Sequence, residues 1–268
     1  MFYTTYLIDL DGVVYRGNEL LPGALEFVNW LIINQKKYLF LTNNSFATGA
    51  QILAKLARMG IHTDSDHLLT AGQAAVQNIA RRLPGAVVYV VGEQPLVTLV
   101  EAQGLGVAAV DGTEAAAVLV GLDRAFNYQK IAGAANAVRA GALFVTINRD
   151  PVLPVAGGFL PGCGSLAAAI ESASGVSPEV VGKPEPMLLL EALRLLDSQP
   201  AEAVMVGDGL MIDILAGQRA GTHTLLVLSG SSSLTDVEQS SLKPDHISAN
   251  LAAVLEELSG GQRSAKKR

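Results

Sequence analysis

Tyr3-Thr4-Thr5-Tyr6-Leu7-Ile8-Asp9-Leu10-Asp11-Gly12 is the stretch from which the rest of the chain can be read. Its aromatic and β-branched residues over 3–8 favour a strand. The strand ends on two aspartates at alternate positions, followed by a glycine that permits a sharp turn. Ligands of open α/β sheets bind outside the carboxyl ends of the strands, so Asp9 and Asp11 fall at the edge where chemistry is done. Two carboxylates in one small space repel unless a cation sits between them. A carboxylate nucleophile can take a phosphoryl group and split one hard displacement into two easier ones. A second acid two residues on is placed to protonate a leaving oxygen and then to deprotonate water. A surface Asp-Gly turn explains the same residues without chemistry.

Working outward, Pro22-Gly23 precedes a helical stretch over 24–34 with Leu25, Val28, Leu31 and Ile32 on one face. A second apolar run, 38–41, ends in Thr42-Asn43-Asn44-Ser45, and a helix over 48–59 stops at Gly60. Strand–helix alternation is the mark of a parallel α/β sheet. From Pro84-Gly85 the pattern starts again, with strand-like runs at 87–91, 117–122 and 143–147 and helical windows at 94–103 and 128–140. A Gly/Pro-rich stretch over 151–164 and a helix over 165–173 close this block. After Val180-Val181-Gly182-Lys183-Pro184, helix 186–196, strand 203–206, a helix near 211–220 and strand 224–228 resume the first pattern. The expected fold is a Rossmann-like doubly wound parallel core, residues 1–82 and 178–268, interrupted by an α/β insert over 83–177.

Three further groups carry candidate chemistry. Gly207-Asp208-Gly209 closes strand 203–206, and Asp213 follows five residues after Asp208. Mg²⁺ takes hard oxygen ligands, commonly one or two carboxylates with water and phosphate oxygens. Asp208 can supply one, and Asp213 can orient a metal-bound water. Helix N-capping explains Asp208 equally simply. Thr42 and Asn43, again at a strand end, offer a hydroxyl and an amide to phosphate oxygens. Lys183, fixed between Gly182 and Pro184, can neutralise charge on a transferring group and restrain the nucleophile.

Asp9-x-Asp11-Gly12, Thr42, Lys183 and Gly207-Asp208 with Asp213 resemble, in order, the four motifs of the haloacid dehalogenase superfamily. The insert lies between the second and third motifs, where C2-type caps occur. Leu41-Thr42-Asn43-Asn44-Ser45, Asn148-Arg149-Asp150-Pro151, Pro161-Gly162-Cys163-Gly164-Ser165 and Gly182-Lys183-Pro184 resemble the NagD and p-nitrophenyl phosphatase branch, subfamily IIA. The resemblance implies a phosphatase acting on small phosphorylated metabolites, with Asp9 as nucleophile and Asp11 as acid/base. It implies Mg²⁺ held by Asp9, the Asp11 backbone carbonyl and Asp208, with Asp213 nearby. Thr42, Asn43, Lys183 and Gly12 would surround the phosphoryl group, and a homodimer is plausible. One departure is Met211-Ile212 before Asp213, where many relatives place Thr next to the acid.

Other readings narrow the field. A dehalogenase would need no Mg²⁺ and no acid at Asp11, and a P-type ATPase would carry Lys-Thr after its nucleophile and membrane spans. A phosphomutase keeps both aspartates and stays open, as does a relative that binds without turnover. A receiver domain clusters Asp, Thr and Lys too, in about half this length. Asn148 and Asp150 can face a leaving group or simply build a turn before Pro151. Cys163, with no base beside it in sequence and expected in a loop, reads as structural. His62, His67, His223 and His246 lack zinc spacing.

Composition sets outer bounds. With 268 residues, 50% hydrophobic and 16% charged, the chain can bury a large core. Its apolar runs are too short to span a bilayer, which needs roughly 20 apolar residues. A formal charge of −6 gives no footprint for nucleic acid. The one basic cluster, Arg263, Lys266, Lys267 and Arg268, reads as a solvated tail. One cysteine and no signal-like opening make a cytoplasmic location the expectation.

Overall fold

A computed structural model describes residues 3–44, 47–109, 111–155 and 157–265. Ser45 of the Thr-Asn-Asn-Ser string, and Lys266, Lys267 and Arg268 of the basic tail, lie outside the described residues. The chain forms two compact units, one of residues 1–42, 49–69 and 183–268, the other of 43–48 and 70–182.

The first unit is built on a six-stranded sheet. Across it run His246–Ser248, His223–Val227, Ala203–Gly207, Thr5–Asp9, Lys37–Thr42 and Leu68–Thr70. Thr5–Asp9 lies in the middle, parallel to both neighbours, with Ile8 opposite Val206 on one side and Phe40 on the other. Central parallel strands are covered on both faces, which is why Tyr6, Leu7 and Ile8 form an unbroken buried run. The register then fixes the edge: Asp9 is level with Leu41, so Thr42 stands one residue beyond it, and Asp208 follows Gly207 on the other flank.

Helix Ala24–Ile33 starts after Gly23, whose φ of 81° needs the left-handed region. Ala24, Phe27, Val28 and Leu31 make its buried face, and Tyr6, Phe27 and Trp30 pack ring on ring at 5.8–6.1 Å. The sequence placed Leu25 and Ile32 on that face. Ile32 is instead 52% exposed, because the stripe runs through Phe27 and Leu31 and leaves Ile32 on its flank.

The second unit has its own parallel sheet, ordered Glu179–Val180, Leu143–Thr146, Ala117–Val120, Val87–Val91 and Gly106–Val107. The expected strand 87–91 is matched residue for residue, whereas 117–122 and 143–147 end at Val120 and Thr146. Helix Ala71–Arg82, not read from the sequence, opens with a reciprocal Thr70–Gln73 capping box and belongs to this unit. Its Arg82 pairs with Glu179. The chain changes unit at 42/43, 48/49, 69/70 and 182/183; the sequence reading set the insert at 83–177. The stretch 151–164 contains an exposed antiparallel hairpin, Val152–Val155 with Gly158–Pro161. Cys163 is not in a loop: it is the first residue of helix Cys163–Ser174, and its buried thiol donates to the Val120 carbonyl at 3.3 Å. Burial pushes that thiol's pKa up, away from nucleophilic use. Among the described residues, no helix is long and apolar enough to cross a membrane.

Candidate active site

The carboxyl edge of the first sheet gathers three aspartates. One carboxylate oxygen from each of Asp9, Asp208 and Asp213 lies within 4.8 Å of the others. The buried Lys183 ammonium donates to Asp9 Oδ1 and to Asp213 Oδ1 at 2.6 Å each. Three carboxylates against one ammonium leave two negative charges in excess. The lysine joins residues from three distant stretches of chain, and its peptide to Pro184 is cis.

Backbone geometry holds each acid. After Gly209 the chain makes a wide turn, Leu210–Ile214, with Ile214 N donating to Gly209 O five residues back. Such π-type turns are rare and cluster at functional sites. This one returns Asp213 to the start of the turn, where Oδ2 accepts from Gly209 N at 2.9 Å. Both Asp213 oxygens thus accept a hydrogen bond. Asp208 does not cap a helix, as a purely structural reading would have it. Its Oδ2 accepts from Ser231 N at 2.6 Å, and its carbonyl accepts from the Ser231 hydroxyl at 3.2 Å and Ser232 N at 3.1 Å.

Glycines keep this centre open. Gly12 has φ +82°, and a Cβ there would overlap the Asp208 carboxylate, as would one on Gly230. The Gly12 carbonyl accepts from Ser229 Oγ at 2.8 Å, which ties the Asp11-Gly12 turn to the 229–231 loop. Thr42 is buried at its strand end. Asp11 is exposed, and its carboxylate is outside the three-acid cluster. Asn43, Asn148 and Asp150 belong to the second unit. There Asn148 is 3% exposed, its amide donating to the Asn43 carbonyl at 3.2 Å and accepting from Asp150 N at 3.2 Å, while Asp150 is exposed.

Electrostatics follow from this packing. Burial pushes Asp9 up to about 7; Lys183 opposes that shift and Asp213 adds to it. Asp208 is raised too, by burial and then by Asp213. Burial alone would lower Lys183, but Asp213 and Asp9 outweigh it and hold the ammonium above the usual lysine range. Tyr15 is raised by burial and then by Asp11 and Asp9, so its phenol stays protonated; the Lys55 ammonium lies 3.5 Å from its ring centroid. A crowded set of hard oxygens with excess negative charge fits a hard divalent cation rather than a thiolate- or imidazole-seeking metal.

Sequence reading missed Ser229, Gly230 and Ser231. The signal was a Ser/Gly run, 229–233, placed directly after a buried strand and so at the same sheet edge.

A carboxylate cluster joined by a buried lysine at the carboxyl end of a parallel sheet defines a class of α/β enzyme built for group transfer. Comparison gives the family. Residues 6–106 match the model for haloacid dehalogenase-like hydrolases, and 180–254 match a second model of HAD-hydrolase-like domains. The acid sugar phosphatase of Staphylococcus saprophyticus is 37% identical over 256 residues, covering 96% of this chain and 98% of that protein. NagD from E. coli K-12 superposes with a TM-score of 0.86 at 35% identity, covering 94% of this chain and 98% of NagD. A glycerol phosphate phosphatase from Mycobacterium tuberculosis, solved in complex with magnesium, superposes with a TM-score of 0.83 at 36% identity, over 94% of this chain and 76% of that one. The chain belongs to the haloacid dehalogenase-like hydrolases, in the NagD-like subfamily IIA, and is a phosphoric monoester hydrolase of that family.

Proposed function

We propose that the chain is a Mg²⁺-dependent, cytoplasmic phosphatase that hydrolyses small phosphorylated metabolites through an aspartyl-phosphate on Asp9. The observation that carries this is the Lys183 ammonium shared between Asp9 and Asp213, beside Asp208. It holds one oxygen of Asp9 and so orients the carboxylate for attack. Asp9, Asp208 and the Asp11 backbone carbonyl would hold the cation, with Asp213 bracing Lys183 and the Gly209 peptide. When bound, Mg²⁺ supplies positive charge against the phosphoryl oxygens.

Asp9 attacks phosphorus in line, and Asp11 gives its proton to the departing oxygen. Asp11 then takes a proton from water as that water attacks the acyl phosphate, and Asp9 is released. Lys183, Thr42, Asn43 and the Gly12 turn surround the transferring group and offset its charge. Sugar phosphates and glycerol phosphate are the first substrates to examine, given what the relatives' names say of those proteins.

Phosphate release from p-nitrophenyl phosphate and a metabolite panel tests the reading. Release with Mg²⁺ and loss of it in EDTA is the expected result; no release from any ester by the folded, metal-supplied protein would overturn it. Asp208→Ala is expected to shift the Mg²⁺ midpoint of that activity upward by about 10- to 100-fold. An unchanged titration would remove Asp208 from the metal site.

A further inference from the structure

We infer that Asn148 is a positioning residue that sets the path of the chain at Asn43, and so the placement of Asn43 and of Thr42 beside it. This rests on the phosphatase reading above. Asn148 follows strand Leu143–Thr146 and is 3% exposed, which is unusual for a side chain expected to meet substrate. Its amide is used in both directions: Nδ2 donates to the Asn43 carbonyl at 3.2 Å, and Oδ1 accepts from Asp150 N at 3.2 Å. Its own carbonyl accepts from the Thr146 hydroxyl at 3.0 Å, and that hydroxyl also lies 3.3 Å from Cys163 Sγ. The residue is therefore held from behind before it holds anything.

A second strand of chain enters the same knot. Gly182 N donates to the Ile147 carbonyl at 2.7 Å, and a Cβ on Gly182 would overlap Asn43 Oδ1. Segments 43, 147–150 and 182 thus meet within the insert unit. Asn43 directly follows Thr42, and Gly182 directly precedes Lys183. Two groups assigned to the phosphoryl site leave this knot one residue away from it. A hydrogen bond across the knot restrains both, and it accounts for an Asn in the Asn-Arg-Asp-Pro string without any contact to the leaving group.

Asn148→Ala removes the Nδ2 donor, and Asn148→Asp keeps an acceptor for Asp150 N while removing the same donor. Loss of one buried hydrogen bond is on the order of 1.4 kcal/mol, a tenfold effect. Both variants are expected to raise KM for p-nitrophenyl phosphate and the inhibition constant of inorganic phosphate about tenfold, with a smaller fall in kcat. Amide hydrogen exchange over 43–44 should speed up by a similar factor. Asn127→Ala serves as a control that removes the cap of insert helix Tyr128–Arg139 and leaves the bonds of this knot in place: it should lower Tm and leave phosphate inhibition unchanged. Unchanged phosphate inhibition and unchanged exchange over 43–44 in both Asn148 variants would overturn the inference. Absence of turnover in the unsubstituted protein would instead sink the phosphatase reading, and the exchange measurement would still decide the clamp.

Discussion

Asp9→Asn is expected to lower phosphate release by on the order of 10⁴-fold or more, because no other group can carry the phosphoryl intermediate. The fold should survive the change. An amide fills the same volume and can still accept from Lys183 at 2.6 Å. Stability gives an independent check with a definite sign. Burial holds the folded-state pKa of Asp9 at about 7, above the ordinary 3.8. The folded protein therefore binds this proton more tightly than the unfolded chain, and the group's contribution is fully present below pH 3.8 and lost as pH rises through about 7. In metal-free protein at about pH 8, a neutral amide removes that penalty, so Asp9→Asn should melt no lower than the unsubstituted protein and melt higher than it if the penalty dominates. Near about pH 5 the difference should shrink. A variant that keeps more than a few per cent of the activity would exclude Asp9 as nucleophile. A variant that melts much lower under the alkaline condition would mean that the Lys183 contact outweighs the cost of the buried charge.

Lys183→Met has the second large effect, and it reaches both activity and stability. The ammonium is the positive group between Asp9 and Asp213, and both its side chain and that of Asp213 are 2% exposed. Taking one partner from a buried ionic cluster typically costs about 3–5 kcal/mol, because charge is left uncompensated. Chemical denaturation in EDTA should show a loss of that order. Mg²⁺ should restore part of it, since a dication supplies the missing charge. Turnover should not return, because the group that orients Asp9 is gone. Adding Asp213→Asn to Lys183→Met should recover stability and leave the enzyme inactive. If the single variant is as stable as the parent, the lysine is not what balances these acids.

How much of this was legible in the sequence depends on how local the cause is. The central strand was readable because burial on both faces forces an apolar run, and the run stops at Asp9. Asp208 and Thr42 were readable because each ends or follows such a strand, and the α/β edge gathers strand ends from far apart in the chain; Lys183 was readable from the Gly182 and Pro184 that fix its loop. That Lys183 restrains Asp9 was readable, but its second bond, to Asp213, was not. It depends on a wide turn over Leu210–Ile214 that looks, residue by residue, like the start of an ordinary helix. The Ser231 contact to Asp208 was hidden for a related reason: serines after a strand are common, and only the register across Ala203–Gly207 and His223–Val227 turns them toward Asp208. Ile32 shows the opposite failure, an apolar residue assigned inward by pattern and left half in solvent by the packing of Phe27. Asn148 could be read equally well as turn or ligand, because sequence shows the residue and not the direction of its amide.

The most direct measurement is to stop the reaction in acid within the first turnover and weigh the protein by mass spectrometry, with peptide mapping. With Mg²⁺ and p-nitrophenyl phosphate, one added phosphoryl group should appear on the peptide that contains Asp9, should be labile to hydroxylamine, and should be absent from Asp9→Asn. Turnover that proceeds with no phosphoryl adduct, or with the adduct on another peptide, would contradict an aspartyl-phosphate at Asp9.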